Sequence, residues 1–232
     1  MSWNQSYVPA TISDERVTSF LSKVYGWMFF GLLITAGTAY FVASSPALVR
    51  TFILNRALFW ILAFGQLGLV FYLSARVEKM APATAAGLFM VYSAMVGVTS
   101  SVILLIYTSS SIFSTFVVTA GMFGATAVFG TLTKRSLAGV GQFMFMGLIG
   151  IILASIVGIF WQNSALQFVI SVVGILVFTG LTAWDAQRLK HMATVVPDGR
   201  VTSYAVVGAL SLYLDFINLF FFILRFTGGR RD

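Results

Sequence analysis

Most of this sequence consists of long apolar runs that short polar segments separate. A helix that crosses the hydrocarbon core of a bilayer needs about 20 mostly apolar residues. The two longest runs are each long enough for two helices, with hinges at residues 108–111 and 161–164. The pattern therefore predicts seven membrane-spanning helices, at about 24–44, 57–75, 83–107, 112–132, 138–160, 166–187 and 203–224.

The apolar runs favour helices over the strands of a membrane β-barrel. Barrel strands alternate apolar and polar residues over about ten positions, whereas residues 143–153 read Phe-Met-Phe-Met-Gly-Leu-Ile-Gly-Ile-Ile-Leu. The longest segments outside the predicted spans are the 23-residue N-terminus and the connection 188–202, and neither could bury a core of its own. We therefore predict an all-α membrane protein with one integral domain over residues 1–232.

Composition supports lipid as the main partner of the chain. Charged residues make up 9% and hydrophobic residues 59% of the sequence, against about 25% and 45–50% in soluble domains. The sequence has no cysteine and a single histidine, His191, which excludes disulfides, thiolate metal sites and two-histidine metal motifs. The net charge of +7 lies in short groups between apolar runs rather than on one face, so we predict no nucleic-acid partner.

The basic residues also predict an orientation, because cytoplasmic loops carry an excess of Lys and Arg. Nine basic residues lie on the N-terminal side of the predicted spans and five lie on the opposite side. The nine are Arg16, Lys23, Arg76, Lys79, Lys134, Arg135, Arg188, Lys190 and Arg200. The N-terminus is therefore predicted in the cytoplasm and the C-terminus outside, although three arginines in the C-terminal tail count against this.

Only two charged residues, Asp185 and Asp215, fall inside predicted spans. An ionisable group within the bilayer is costly unless it is paired or hydrated, and it marks a functional site by default. Thr182 precedes Asp185 by three residues on the same helix face, and Ser211 and Asn218 share the face of Asp215. If the two faces meet, the carboxyls share one buried site in the cytoplasmic half of the bundle.

Such a pair would respond to pH. Burial and a neighbouring like charge both favour the protonated form of a carboxyl, so the proton would be lost on alkalinisation. The deprotonated pair would attract a hard cation such as Ca²⁺. The alternative is structural: Asp185 pairs with Arg188 or with Arg76, and Asp215 only bridges backbone groups. In a combined form, the Arg–Asp pair is a latch whose strength depends on protonation.

Two stretches, Thr182–Gln187 and Gly208–Phe220, resemble the signature sequences of the transmembrane Bax inhibitor family, in its bacterial branch. The resemblance implies a multi-pass protein of the bacterial inner membrane. It also implies that Asp185 and Asp215 are a pH-sensing pair that controls a calcium leak, with Ca²⁺ as a transient contact and permeant ion. Arg76 is the match to a basic partner at the end of the second helix. Gln66 lies where some members carry an acidic residue in the conducting path.

The resemblance offers a second role, because some bacterial relatives are linked to the regulation of a membrane-anchored ATP-dependent protease. The polar N-terminal 23 residues would then be the contact. An intramembrane aspartyl protease is the enzymatic alternative. It conflicts with the sequence Tyr213-Leu214-Asp215, where those enzymes have Gly-x-Gly-Asp, and with the position of the only Pro-Ala-Leu element, Pro46–Leu48, in the first loop. We therefore expect neither catalysis nor a bound cofactor.

Overall fold

The computed structural model describes residues 10–161 and 163–231, and the chain is almost entirely helical over these ranges. Within them, seven helices are long and apolar enough to cross a membrane. They are α1 (Ala10–Ala43), α2 (Arg56–Arg76), α3 (Pro82–Ile106), α4 (Ser109–Leu132), α5 (Ala138–Phe160), α6 (Ser164–Val195) and α7 (Val201–Thr227). The predicted all-α bundle of seven spans is confirmed, while the side of the membrane on which the N-terminus lies stays a prediction.

Local sequence explains where several helices begin. The side chains of Asn55, Thr108 and Asn163 each accept a hydrogen bond from a backbone amide in the first turn of α2, α4 and α6, as helix N-caps do. Pro82 stands in the first turn of α3, where its missing amide leaves no bond unmade. Short helical turns at Pro46–Leu48, Val49–Ile53, Val77–Lys79 and Asp198–Arg200 complete the connections.

Two predicted boundaries are wrong. Helix α1 begins at Ala10 rather than at 24, and α6 ends at Val195 rather than at 187. Charged residues end an apolar run, but Lys and Arg are good helix formers, so the helix itself continues past them. Arg188, Lys190 and His191 therefore lie on α6 and not in a loop.

The N-terminal 23 residues were expected to lie outside the spans as a free cytoplasmic contact segment. From Ala10 onward they form the first turns of α1, and residues 1–9 lie outside the described ranges. Arg16 donates a hydrogen bond to the carbonyl of Val196 and forms an ion pair with Asp198 at 3.2 Å (Nη2–Oδ1). The start of α1 is thereby bound to the connection between α6 and α7.

Helix α7 lies at the centre of the bundle. It contacts α1, α2, α3, α4 and α6, while α5 packs on α6 and α2 packs on α3. More than half of the apolar stretch of α7 is buried. The outer surfaces of the surrounding helices are apolar and exposed, with side chains such as Phe71, Phe143 and Phe160 pointing outward, as expected where lipid is the solvent.

A small residue sets the distance between α1 and α3. A Cβ added to Gly97 of α3 would lie 2.6 Å from the carbonyl oxygen of Thr35 and 2.7 Å from the Cβ of Thr38. Backbone atoms cannot move aside as the end of a flexible side chain can. The two helices therefore pack at a distance that only glycine allows, which is typical of helix pairs in membranes.

Replacing Gly97 by alanine should destabilise the bundle by about 1–3 kcal/mol, because the added methyl overpacks the contact between α1 and α3. The measurement is thermal unfolding of the purified protein in detergent. Gly87→Ala in the same helix is the matched control, since nothing lies within 4 Å of an added Cβ there. Equal losses for both variants would show that the close contact is absent.

Candidate functional site

Helices α6 and α7 are antiparallel neighbours, and two glycines fix their register. Gly208 of α7 packs against Leu189 of α6, and Gly174 of α6 packs against the ring of Phe222 of α7. These two contacts place Asp215 level with residues 181–182 of α6. With a rise of about 1.5 Å per residue, Asp215 lies about one helical turn from the level of Asp185.

Two other helices fix the position of α6 beside the aspartates. A Cβ on Gly130 of α4 would lie 2.9 Å from the Cα of Ala183, and a Cβ on Gly141 of α5 would lie 2.6 Å from the Cε2 of Trp184. Because α4 and α5 approach α6 this closely at consecutive residues, Asp185 is left on the side of α6 that faces the bundle. The side chain of Asp185 is buried there, with 8% of the residue exposed.

Both carboxyls are buried and incompletely bonded. Asp215 is 4% exposed. Oδ1 of Asp185 and Oδ2 of Asp215 are buried and accept no hydrogen bond from any atom in the described part of the chain. An ionised carboxylate with an unpartnered buried oxygen is expensive, so the arrangement favours a proton or a cation at these oxygens.

Arg188 supplies the positive charge of the site. Its Nη1 lies 3.6 Å from Oδ1 of Asp185, which is an ion pair but longer than a good hydrogen bond. The guanidinium also lies over the ring of Trp184, 5.2 Å from its centroid. Asp215 lies within electrostatic range of both Asp185 and Arg188. The three side chains therefore form one electrostatic unit, which we call the Asp–Asp–Arg cluster.

Arg76, the other predicted partner of Asp185, takes no part in this cluster. It ends α2 with an exposed side chain, and no ion pair joins it to Asp185 among the described residues. Of the two partners that the sequence left open, the structure brings Arg188 to the carboxylate. The sequence signal was present, because Arg188 follows Asp185 by three residues on one helix face.

The polar residues predicted to support the aspartates bond elsewhere. The hydroxyl of Thr182 donates to the carbonyl of Phe178 at 2.7 Å, and the amide of Asn218 donates to the carbonyl of Leu214 at 2.8 Å, so each satisfies its own helix. Ser211 is half-buried on the same helix as Asp215. These residues give α6 and α7 a polar face without hydrogen-bonding the carboxyls.

Gln187 and Gln66 hold neighbouring elements together. The side chain of Gln187 accepts a hydrogen bond from the amide of Leu137 at 2.7 Å and donates to the carbonyl of Arg135 at 2.9 Å, so it binds the α4–α5 loop to α6. Gln66 of α2 donates to the carbonyl of Met95 and to the hydroxyl of Thr99, both at 3.2 Å. It joins α2 to α3, as an uncharged polar group in a membrane helix is expected to do.

Sequence reasoning missed a buried hydroxyl cluster two residues before Asp215. Tyr213 is fully buried between the rings of Phe89 and Tyr92, with centroids 5.7 and 5.9 Å away. Its hydroxyl lies 2.5 Å from the hydroxyl of Thr35, which also contacts the carbonyl of Ser93 at 2.9 Å. Tyr213 therefore binds the central helix to α1 and α3.

The Asp–Asp–Arg cluster does not form an enclosed metal site. Ca²⁺ takes six to eight oxygen ligands. Across the described ranges no group of three or more His, Cys, Asp or Glu side chains could hold a metal. Two carboxylates can make only part of a calcium shell, so an ion here would keep much of its water and dwell briefly.

Seven apolar helices around a buried acidic pair define a multi-pass membrane protein with an ionisable site at its centre. The sequence model of the family described as "Inhibitor of apoptosis-promoting Bax1" matches residues 17–232. The chain therefore belongs to this Bax inhibitor family, as its two signature stretches indicated.

Several bacterial proteins match the chain over nearly their whole length. The chain is 48% identical over 217 residues to the inner membrane protein YbhL of Escherichia coli strain K12, covering 92% of each protein. It is 44% identical to an uncharacterised protein of Borreliella burgdorferi, covering 92% of the chain and 93% of the relative. It is 35% identical to an uncharacterised membrane protein of Streptococcus pyogenes, covering 97% and 99%. The chain is a multi-pass protein of a bacterial inner membrane.

Replacing Arg188 by glutamine should lower the free energy of unfolding by about 1–3 kcal/mol near neutral pH, because it leaves a buried carboxylate without its cation. The loss should shrink at acidic pH, where a protonated Asp185 needs no cation. Chemical or thermal unfolding in detergent at several pH values measures it.

The double variant Asp185→Asn/Arg188→Gln should recover most of that stability, since it removes both charges together. Arg76→Gln is the matched control and should change little. The assignment of Arg188 fails if Arg76→Gln destabilises the protein and Arg188→Gln does not.

Proposed function

We propose that this protein is a low-flux cation leak, with Ca²⁺ as the main ion, and that protonation of Asp185 and Asp215 gates it. The observation that carries the proposal is the burial of both carboxyls on facing helices, each with an oxygen that no described residue hydrogen-bonds. Oδ1 of Asp185 has only the 3.6 Å ion pair with Arg188, and Oδ2 of Asp215 has no hydrogen-bond partner among the described residues. Both oxygens can therefore take a proton or a cation, which is what a switch between the two requires.

The electrostatics give the sign of the pH dependence. With both aspartates protonated, Arg188 leaves the Asp–Asp–Arg cluster positive, and Ca²⁺ is repelled. With both ionised, the cluster carries one net negative charge, and Ca²⁺ is attracted. The flux of Ca²⁺ should therefore rise with pH as the pair loses its protons.

The packing around the pair supports a small flux. Leu189 and Leu212, about one helical turn from Asp185 and Asp215 along α6 and α7, are fully buried. Protein interiors packed in this way hold few voids larger than a water molecule. An ion can pass only when α6 and α7 shift against their neighbours. In this role the chain carries out no catalytic reaction and needs no bound cofactor. Ca²⁺ is the transported ion.

Protein reconstituted into liposomes should admit Ca²⁺ faster at mildly alkaline than at mildly acidic pH, as reported by a trapped calcium dye. Asp215→Asn should lower the flux at alkaline pH and weaken its pH dependence, because ionisation of Asp185 alone leaves the cluster neutral rather than negative. Equal pH dependence in wild type and Asp215→Asn overturns the proposed gate.

Asp198→Asn provides the matched control. It removes the same charge from an aspartate whose side chain is 93% exposed, in the turn between the same two helices. Its flux should keep the pH dependence of the wild type. If Asp198→Asn also weakens the pH dependence of the flux, that dependence comes from the overall charge at this end of the bundle and not from Asp215.

A further inference from the structure

The chain that follows α7 is bound to the turn between α3 and α4. Arg230 forms an isolated antiparallel bridge with Tyr107, and the amide of Arg231 donates to the carbonyl of Ile106 at 2.8 Å. The side chains of successive residues in an extended segment point to opposite sides. Arg231 accordingly reaches Ser109, with Nη2 3.4 Å from Oγ, while Arg230 faces the other side.

On that other side lies a cavity of about 550 Å³, bordered by the first turns of α6, the last turn of α7 and the C-terminal tail. We call it the tail pocket. Its lining includes the basic residues Arg225 and Arg230 and the polar residues Gln167, Ser164 and Ser171. The volume lies within the usual range for small-molecule sites.

The tail pocket concentrates positive charge. Neither Arg225 nor Arg230 forms an ion pair with an acidic side chain within the residues that the structure describes. Arg225 contacts the side-chain oxygen of Gln167 at 3.5 Å and lies over the ring of Phe222, 5.9 Å from its centroid. Two guanidinium groups beside hydroxyl groups form a donor set that suits a phosphate.

The start of α6 adds little to this donor set. Asn163 already accepts hydrogen bonds from the amides of Ala165 and Leu166, at 2.8 and 3.4 Å. An anion in the tail pocket would therefore be held by the arginines rather than by free helix amides. Arg225 and Arg230 are the residues on which such binding depends.

One wall of the tail pocket is aromatic and faces outward from the bundle. Phe168 and Phe226 are 58% and 47% exposed, and their ring centroids lie 5.5 Å apart. Both stand near the ends of membrane-spanning helices, where aromatic side chains meet lipid headgroups. The pocket thus combines an apolar wall with basic residues. This combination matches a phospholipid, whose acyl chains lie beside an anionic headgroup.

We propose that the tail pocket binds a phosphate group through Arg225 and Arg230, at the end of the bundle where α6 begins and α7 ends. The phosphate belongs to the headgroup of an anionic phospholipid or to a free anion. Basic pockets between membrane helices recognise anionic headgroups in this way. The site is independent of the leak, because Asp215 lies ten residues, or about 15 Å, from Arg225 along α7.

The test uses the full-length protein in detergent, titrated with phosphatidylglycerol or with phosphatidylethanolamine of the same acyl chains, and with inorganic phosphate alone as competitor. Native mass spectrometry counts the bound lipids. Phosphatidylglycerol should bind about tenfold more tightly than phosphatidylethanolamine, and Arg225→Gln/Arg230→Gln should abolish that preference. If excess inorganic phosphate displaces the bound lipid, the site binds phosphate in general. If the lipid stays bound, the site is specific for lipid.

Arg231→Gln is the matched control, because it removes the neighbouring charge on the other side of the same tail and should keep the preference. Arg225→Lys/Arg230→Lys should retain part of the binding, since the charge remains. The proposal is overturned if the preference survives in the double glutamine variant or falls equally in Arg231→Gln. The double glutamine variant should keep the unfolding temperature of the wild type, which separates lost binding from lost folding.

Discussion

The structure depends on the close antiparallel packing of α6 and α7. Glycines at both ends of the contact, Gly174 and Gly208, bring the two helices together in a single register. That register places two carboxyls in the middle of an apolar bundle, where the described side chains leave one oxygen of each without a hydrogen bond. The other helices surround this pair: α4 and α5 hold α6 through glycines, and α1 and α3 hold α7 through Tyr213.

The fold was largely predictable from sequence, because a bilayer leaves few choices. A backbone in lipid must satisfy its own hydrogen bonds, so long apolar runs become helices. The ends of α1 and α6 were not predictable from hydropathy. Arg16 and Arg188 interrupt the apolar pattern but lie within helices, where one binds the α6–α7 turn and the other binds Asp185.

The two acidic residues of the candidate site were predictable from the sequence, and the residues that surround them were less so. Asp185 and Asp215 stood out because ionisable residues are rare inside spans. The spacing of Arg188, three residues after Asp185, was a local signal for their pairing. Whether Arg76 also reaches Asp185 depends on which way α2 faces, and no local pattern encodes that. The hydroxyl cluster at Tyr213 and the bound C-terminal tail are contacts between residues more than a hundred positions apart, and neither residue type is unusual where it stands.

Infrared difference spectroscopy between acidic and alkaline pH tests the central claim most directly, because it observes carboxyl protonation itself. The account predicts that Asp185 and Asp215 titrate as one coupled pair. Replacing Asp215 by asparagine should then shift the pH at which the carboxyl band of Asp185 changes. Spectral changes of the Asp185→Asn and Asp215→Asn variants that simply add up to that of the wild type would contradict the account.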